Sequence, residues 1–219
     1  MTPFNEVKNL YDISILNIVN SKSPFIHYNS ENADEVHKSS FNQLVTSLIN
    51  EDKNGTICTI CDIGCATGDI LRSLDSSLVP NINYCGLDLN EKFILMAKSD
   101  FEPFPNINFY QYNIYNMNLS QNYDLITIYD TFAYFNTDEI IKMIDYYYSK
   151  TNKILSFILL DKFENYDKSL LIQSSDTNSI LQYCSSSFKD SFSSHFFNLD
   201  KSNIFYIVNI FKNHTNRDD

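Results

Sequence analysis

From Thr56 onward, short β-type apolar runs alternate with stretches of helical period, and this alternation constrains the fold more than any other feature of the chain. Thr56 to Ile63, Ile82 to Asp88, Ile107 to Tyr112, Tyr123 to Tyr129 and Lys153 to Leu160 read as strands. Asp69 to Leu78, Glu91 to Ser99 behind an Asn90 cap, and a segment capped by Thr137 read as helices between them. Only the third and fourth strands are joined by a short irregular connection. Parallel neighbours need crossovers of about a dozen residues, so the pattern predicts a parallel sheet with helices on both faces. After Asp161 a helical stretch from about Lys168 to Ser186 leads to two adjacent strands, Phe192 to Leu199 and Asn203 to Phe211. The link Asp200-Lys201-Ser202 is too short for a crossover, so these two form an antiparallel hairpin.

The first 55 residues read differently. Phe4, Val7, Tyr11, Ile15 and Ile18 recur at helical spacing, and a loop from Ser21 to Ser30 carries Phe25, His27 and Tyr28. Asn32, with Glu35 three residues on, signals the start of a second helix whose apolar face includes Val36, Phe41, Leu44, Val45 and Leu48. The expected organisation is a helical lid or substrate-covering segment (1–55), one core (56–212) and a polar tail (213–219).

The chain holds only four glycines in 219 residues, where roughly fifteen would be usual at ~7%. Gly64 and Gly68 both fall in Cys61-Asp62-Ile63-Gly64-Cys65-Ala66-Thr67-Gly68-Asp69, between the first strand and its helix, and Gly86 lies near the end of the second strand. Glycine serves where φ is positive or where a ligand approaches the backbone closely. This strand, turn and helix start is therefore the expected ligand site, beyond the carboxyl ends of the strands.

Composition narrows the partners. A formal net charge of −11 repels a phosphate backbone, which argues against nucleic-acid substrates. No apolar run approaches the ~18 residues of a membrane span, so a cytoplasmic protein is expected. Five cysteines, at 58, 61, 65, 85 and 184, form an odd set unlike a secreted disulfide framework. Cys58 and Cys61 fall on opposite faces of a strand, so no metal site is expected.

The Asp-x-Gly-x-x-x-Gly turn after the first strand, Asp88 ending the second, five β/α units and a closing hairpin together resemble the class I S-adenosylmethionine (SAM)-dependent methyltransferases. The resemblance spans about residues 56 to 212. It implies a Rossmann-like fold with a seven-stranded, mostly parallel sheet, helices on both faces, an antiparallel last strand and an N-terminal helical lid. It further implies that Asp88 accepts two ribose hydroxyls and that Gly64 and Gly68 admit the methionine moiety. Leu89 would flank the adenosine, Asn113 (where many members have Asp) and Ile114 would meet the adenine, and Asp62, Cys65 and Tyr129 would complete the cofactor set. A nicotinamide dinucleotide is the main rival for such a turn. Ala66 replaces the middle glycine of that motif, and Asp62 with Asp69 would repel a pyrophosphate but attract an ammonium and a sulfonium. Asp69 also reads as a helix cap, whereas Asp62 has no structural account of that kind.

The stretch Tyr-Asp-Thr-Phe-Ala-Tyr-Phe at 129–135 falls where the family places methyl transfer, making Asp130 and Tyr134 the acid–base candidates. His27, in the aromatic N-terminal loop, is a third substrate-facing candidate. The expected function is transfer of a methyl group from SAM to an oxygen or nitrogen of a small molecule, in a biosynthetic or tailoring pathway. A protein methyltransferase and a non-catalytic SAM-binding partner protein are the alternatives.

Overall fold

The computed structural model describes residues 31–51, 58–163, 175–200 and 203–212. The expected helix over 4–19, the loop carrying His27 and the polar tail lie outside these residues. Helix α1 (Glu31–Glu51) leads to strand β1 (Cys58–Ile63), the one-turn α2 (Asp69–Arg72), β2 (Ile82–Asp88), α3 (Glu91–Asp100), β3 (Ile107–Gln111) and β4 (Tyr123–Ile128). Then follow α4 (Thr137–Ser149), β5 (Thr151–Phe163), α5 (Thr177–Phe188), β6 (Phe192–Asp200) and β7 (Asn203–Phe211). The seven strands form one sheet in the order β3-β2-β1-β4-β5-β7-β6. Strands β1 to β5 pair in parallel and β7 runs antiparallel to both its neighbours, as expected for the hairpin. The strand order reverses between β1 and β4, and ligands of open α/β sheets bind above such a point.

Each face of the sheet has its own core. Phe41, Val45 and Leu48 of α1, with Ile94 and Ala97 of α3, cover Ile60, Tyr84, Leu125, Ile158 and Ile207. On the other face Ile140, Ile144 and Tyr147 of α4 and Ile180 and Cys184 of α5 cover Ile126, Ile128, Leu155 and Val208. Cys58 and Cys61 fall in opposite cores, as the period of two requires.

One row crossing the α1 side of the sheet is polar. Asp62 lies opposite Thr127, Thr127 opposite Ser156, Ser156 opposite Asn209, and Asn209 opposite Ser193. The first four are buried. Such groups need hydrogen-bond partners, and most find them within the row or just above it.

Three local expectations are corrected. Helix α2 ends after Arg72 instead of reaching Leu78, because side chains offer the backbone other partners. Ser73 Oγ donates to the Ile70 carbonyl at 2.6 Å, Asn42 Nδ2 donates to the Ser73 carbonyl at 2.9 Å, and the Ser77 N–H donates to Asp75 Oδ1 at 2.8 Å. The cap of α4 is Asn136, in a reciprocal box with Glu139. Thr137 Oγ1 instead accepts from the Asp176 N–H at 2.8 Å, tying the starts of α4 and α5 together. Helix α1 already begins at Glu31, so Asn32 lies in its first turn.

Candidate functional site

The turn after β1 is left-handed at three residues: Gly64 (φ 79°), Ala66 (φ 47°) and Gly68 (φ 85°). It is clasped to β2, because the N–H groups of Gly64 and Cys65 both donate to the Leu87 carbonyl, at 2.7 and 3.1 Å. A Cβ at Gly64 would sit 1.8 Å from Thr131 Oγ1, and one at Gly68 would meet Phe101 at 2.9 Å and Phe109 at 3.2 Å. The two glycines thus serve backbone conformation and the close approach of protein neighbours. Gly64 also lines the cleft above the sheet.

Asp88 closes β2 beside this turn. Its Oδ2 accepts from the Ala66 N–H at 3.0 Å and its Oδ1 from the Asn90 N–H at 2.8 Å. Burial pushes the carboxyl up to about 6, against the lowering effect of the Asn90 and Ala66 amides. A carboxylate has about four acceptor positions, so Asp88 can hold the turn and still accept from a ligand hydroxyl.

Asp62 proves to have a structural role. Tyr84 donates its hydroxyl to Oδ2 at 2.6 Å and Thr127 donates to Oδ1 at 2.8 Å. Burial raises the Asp62 carboxyl above its ordinary range while these two donors oppose the rise. Asp69 accepts from Thr67 Oγ1 at 2.8 Å and pairs with Arg72, which also pairs with Asp100. Its charge is therefore met within the protein. Nothing at Thr127, 65 residues from Asp62 in the chain, marks it in the sequence as this partner; an Asp at a strand end is the only local hint.

The switch-point cleft is lined by Ile63, Gly64, Leu87, Asp88, Leu89 and Tyr112, with Ile114, Thr131, Tyr134 and Phe135 opposite. Of the residues expected to bind the cofactor or act on the acceptor, Gly64, Asp88, Leu89, Ile114 and Tyr134 are brought together here. Asp130 is not among the residues that line the cleft; left-handed at φ 61°, it opens the short 3-10 turn Thr131–Tyr134, which carries the lining residues Thr131 and Tyr134. Asn113 caps another such turn, accepting from the Tyr115 N–H at 3.0 Å; its Nδ2 is the group it can offer an adenine. Tyr129 points to the α1 side, its hydroxyl 3.0 Å from Ser156 Oγ, and burial pushes it up to about 12. Cys65 is buried in the core of that face. Gly68 faces Phe101 and Phe109, and His27 lies outside the described residues. Tyr112 and Thr131 were not anticipated. Their positions directly after β3 and two residues after Tyr129 are the signal that could have marked them.

The open space in the cleft is about 40 Å³. A nucleoside-sized ligand therefore requires side chains that line the cleft to move. The remaining features fit SAM: an acidic acceptor at the ribose position, an apolar wall of Leu89 and Ile114 for a base, and a left-handed turn beside them.

A family model described as "Methyltransferase domain" matches residues 60–152, which include the turn, Asp88 and Asp130. Protein 235L of Invertebrate iridescent virus 6, named as a candidate methyltransferase, is 35% identical over 97 residues. That match covers 44% of this chain and 33% of the viral protein, so the chain spans about a third of that relative. Among solved structures, magnesium protoporphyrin IX methyltransferase from Synechocystis PCC 6803, with bound S-adenosylhomocysteine (SAH), superimposes at a TM-score of 0.64 and 18% identity. The superposition covers 97% of this chain and 100% of the other. N-methyltransferase NodS from Bradyrhizobium japonicum, with SAH, matches at 0.62 and 13% identity over 95% and 98% of the two chains. The plantazolicin methyltransferase BpumL, with a pentazolic analog and SAH, matches at 0.62 and 16% identity over 94% and 91%. At such identities these structures establish a shared fold.

Proposed function

Residues 60–152 being a methyltransferase domain whose family uses SAM, set in the fold of the SAM-dependent methyltransferases, we propose that this protein transfers a methyl group from SAM to an oxygen or nitrogen of a small molecule. The observation that carries this reading is Asp88, a buried carboxylate at the end of β2 that braces the left-handed turn and faces the cleft. Asp88 would accept the ribose hydroxyls, Leu89 and Ile114 would enclose the base, and the Gly64 turn would lie along the methionine portion. When bound, SAM supplies an electrophilic methyl group on a sulfonium.

The chain's own contribution is alignment and exclusion of water. In-line placement of two reactants can supply on the order of 7–11 kcal/mol of barrier reduction, so no strong base is required. Tyr134, on the wall of the cleft, and Asp130, at the start of the turn that carries it, are proposed to orient the acceptor and, where its proton must leave, to receive it. Such a base would add ~10²–10⁴-fold. The acidic surface supports a small-molecule acceptor over a nucleic acid.

Methyl-labelled SAM incubated with the protein and a fractionated extract of the source organism tests the reading. Label in low-molecular-weight material, lost with Asp88→Ala, is the expected result. Label in polypeptide would replace the small-molecule acceptor by a protein one, and SAM binding without transfer to any fraction would leave a non-catalytic binding protein.

A further inference from the structure

Two of the five cysteines face each other across the first two strands. Cys61 of β1 and Cys85 of β2 are register partners in the parallel pair, and such partners project to the same face of a sheet. Both belong to the packing on the α4 side. Adjacent strands lie about 4.8 Å apart, inside the roughly 4.4–6.8 Å between Cα atoms that a disulfide spans. The two thiols differ in access. Cys61 is fully buried, whereas Cys85 is half-buried and lines a groove of about 680 Å³ on that face of the sheet. The groove exists because the connection from β3 to β4 carries only the 3-10 turn Ile114–Asn116 and no α-helix, which leaves Asn83, Asn108 and Tyr110 of β2 and β3 exposed beside Cys85.

The other three cysteines, Cys58, Cys65 and Cys184, are buried. Burial pushes the thiols of Cys61 and Cys65 well above their ordinary value and that of Cys184 up to about 12. At Cys85 the hydrogen bond from Cys61 outweighs burial and, with a second from the Tyr123 hydroxyl, holds the thiol below its ordinary value. The thiolate is the reactive form, so access and charge state select the same cysteine.

We propose that Cys85 is a site of modification by hydrogen peroxide and that Cys61 resolves its oxidised form into a cross-strand disulfide. In the first step the Cys85 sulfur attacks one peroxide oxygen: an S–O bond forms, the O–O bond breaks and the sulfur gives up two electrons. The departing hydroxide takes up the proton that the thiol released and leaves as water, and a sulfenic acid remains. In the second step the Cys61 sulfur attacks the Cys85 sulfur: the S–S bond forms, the S–O bond breaks, and the hydroxide leaves with the Cys61 proton as a second water. Peroxide is the oxidant consumed, and exchange with a dithiol restores both thiols.

The reduced full chain, without SAM, is treated with a small excess of hydrogen peroxide, alkylated and digested with trypsin in the absence of reductant. Peptides 54–72 and 73–92 carry Cys61 and Cys85. They should be recovered joined, with fragmentation placing the bond at Cys61 and not at Cys58 or Cys65, and dithiothreitol should release them. In Cys61→Ala the link should be lost and dimedone should label Cys85 alone, whereas Cys85→Ser should give neither link nor adduct. Before oxidation, iodoacetamide should alkylate Cys85 of the native protein about tenfold or more faster than any other cysteine. Oxidation spread evenly over the five cysteines, or Cys85 oxidised without a bond to Cys61, overturns the proposal. The wild-type map decides the matter even if Cys61→Ala does not fold. No cofactor enters the test, so failure here is distinct from failure of the methyltransferase reading.

Discussion

At the scale of single residues, Asp88 couples stability, pH and the proposed ligand. Its carboxyl rises from 3.8 to about 6 in the fold because it is buried, so the native state holds this proton more tightly than the unfolded chain does. Stability therefore falls as pH rises from about 4 to about 6, and the cost of the buried charge, about 3 kcal/mol, is fully present above that window. Urea unfolding of the wild type and of Asp88→Asn across pH 4–7 should show this slope in the first and not in the second. Ligand hydroxyls need the ionised form, so SAH affinity should weaken as pH drops below about 6, by up to tenfold per unit. An SAH affinity flat from pH 7 to 5 would remove Asp88 from the site. Gly64 offers a second test. Gly64→Ala drives a Cβ into Thr131 Oγ1 at φ 79° and should cost about 2–4 kcal/mol. Thr131→Ala removes that oxygen, so in the double variant the two changes should be non-additive by at least ~1 kcal/mol in chemical denaturation.

At the scale of elements, helix ends are settled by side-chain chemistry and not by apolar periodicity alone. Asn136 caps α4, with its Oδ1 accepting from the Glu139 N–H and Glu139 reaching back to the Asn136 N–H, both at 3.0 Å. Asn136→Ala should cost about 1 kcal/mol, or roughly 2–4 °C in melting temperature for a chain of this size. A melting curve superimposable on the wild type would mean that packing of Ile140 and Ile144 alone holds the helix start. The early end of α2 has the same cause as the misjudged cap. Apolar spacing over 69–78 permits a helix, but Ser73, Asp75 and Asn42 supply competing hydrogen bonds, and Asn42 comes from α1. That last contact is non-local and leaves no mark in the 69–78 stretch.

At the scale of the molecule, the cofactor reading predicts linkage. SAH at 100 times its dissociation constant should stabilise the native state by about 2.7 kcal/mol, a rise of roughly 5–10 °C. No rise with either SAH or SAM would end the cofactor assignment. Because the open space in the cleft is about 40 Å³, that binding must shift side chains that line it. No described helix is long and apolar enough to cross a membrane.

The sheet class, the order of its elements, the closing hairpin and the special turn at 64–68 were legible in the sequence, because each rests on local information. Crossover length decides parallel from antiparallel, period decides strand from helix, and scarce glycine marks unusual backbone. Asp88 was legible for the same reason, as the acid ending a strand. Which residues of different strands lie side by side was decided only by tertiary structure. Period two places Asp62, Thr127, Ser156 and Asn209 on one face of their own strands, but only strand order and register bring them into a single row. The Asp62 partners lie 22 and 65 residues away. Tyr129 turns from the cleft toward Ser156, and Asn209 is left with an unanswered oxygen. Hydrogen bonding in a core is settled by neighbours that the chain brings together from a distance, and no local pattern encodes them.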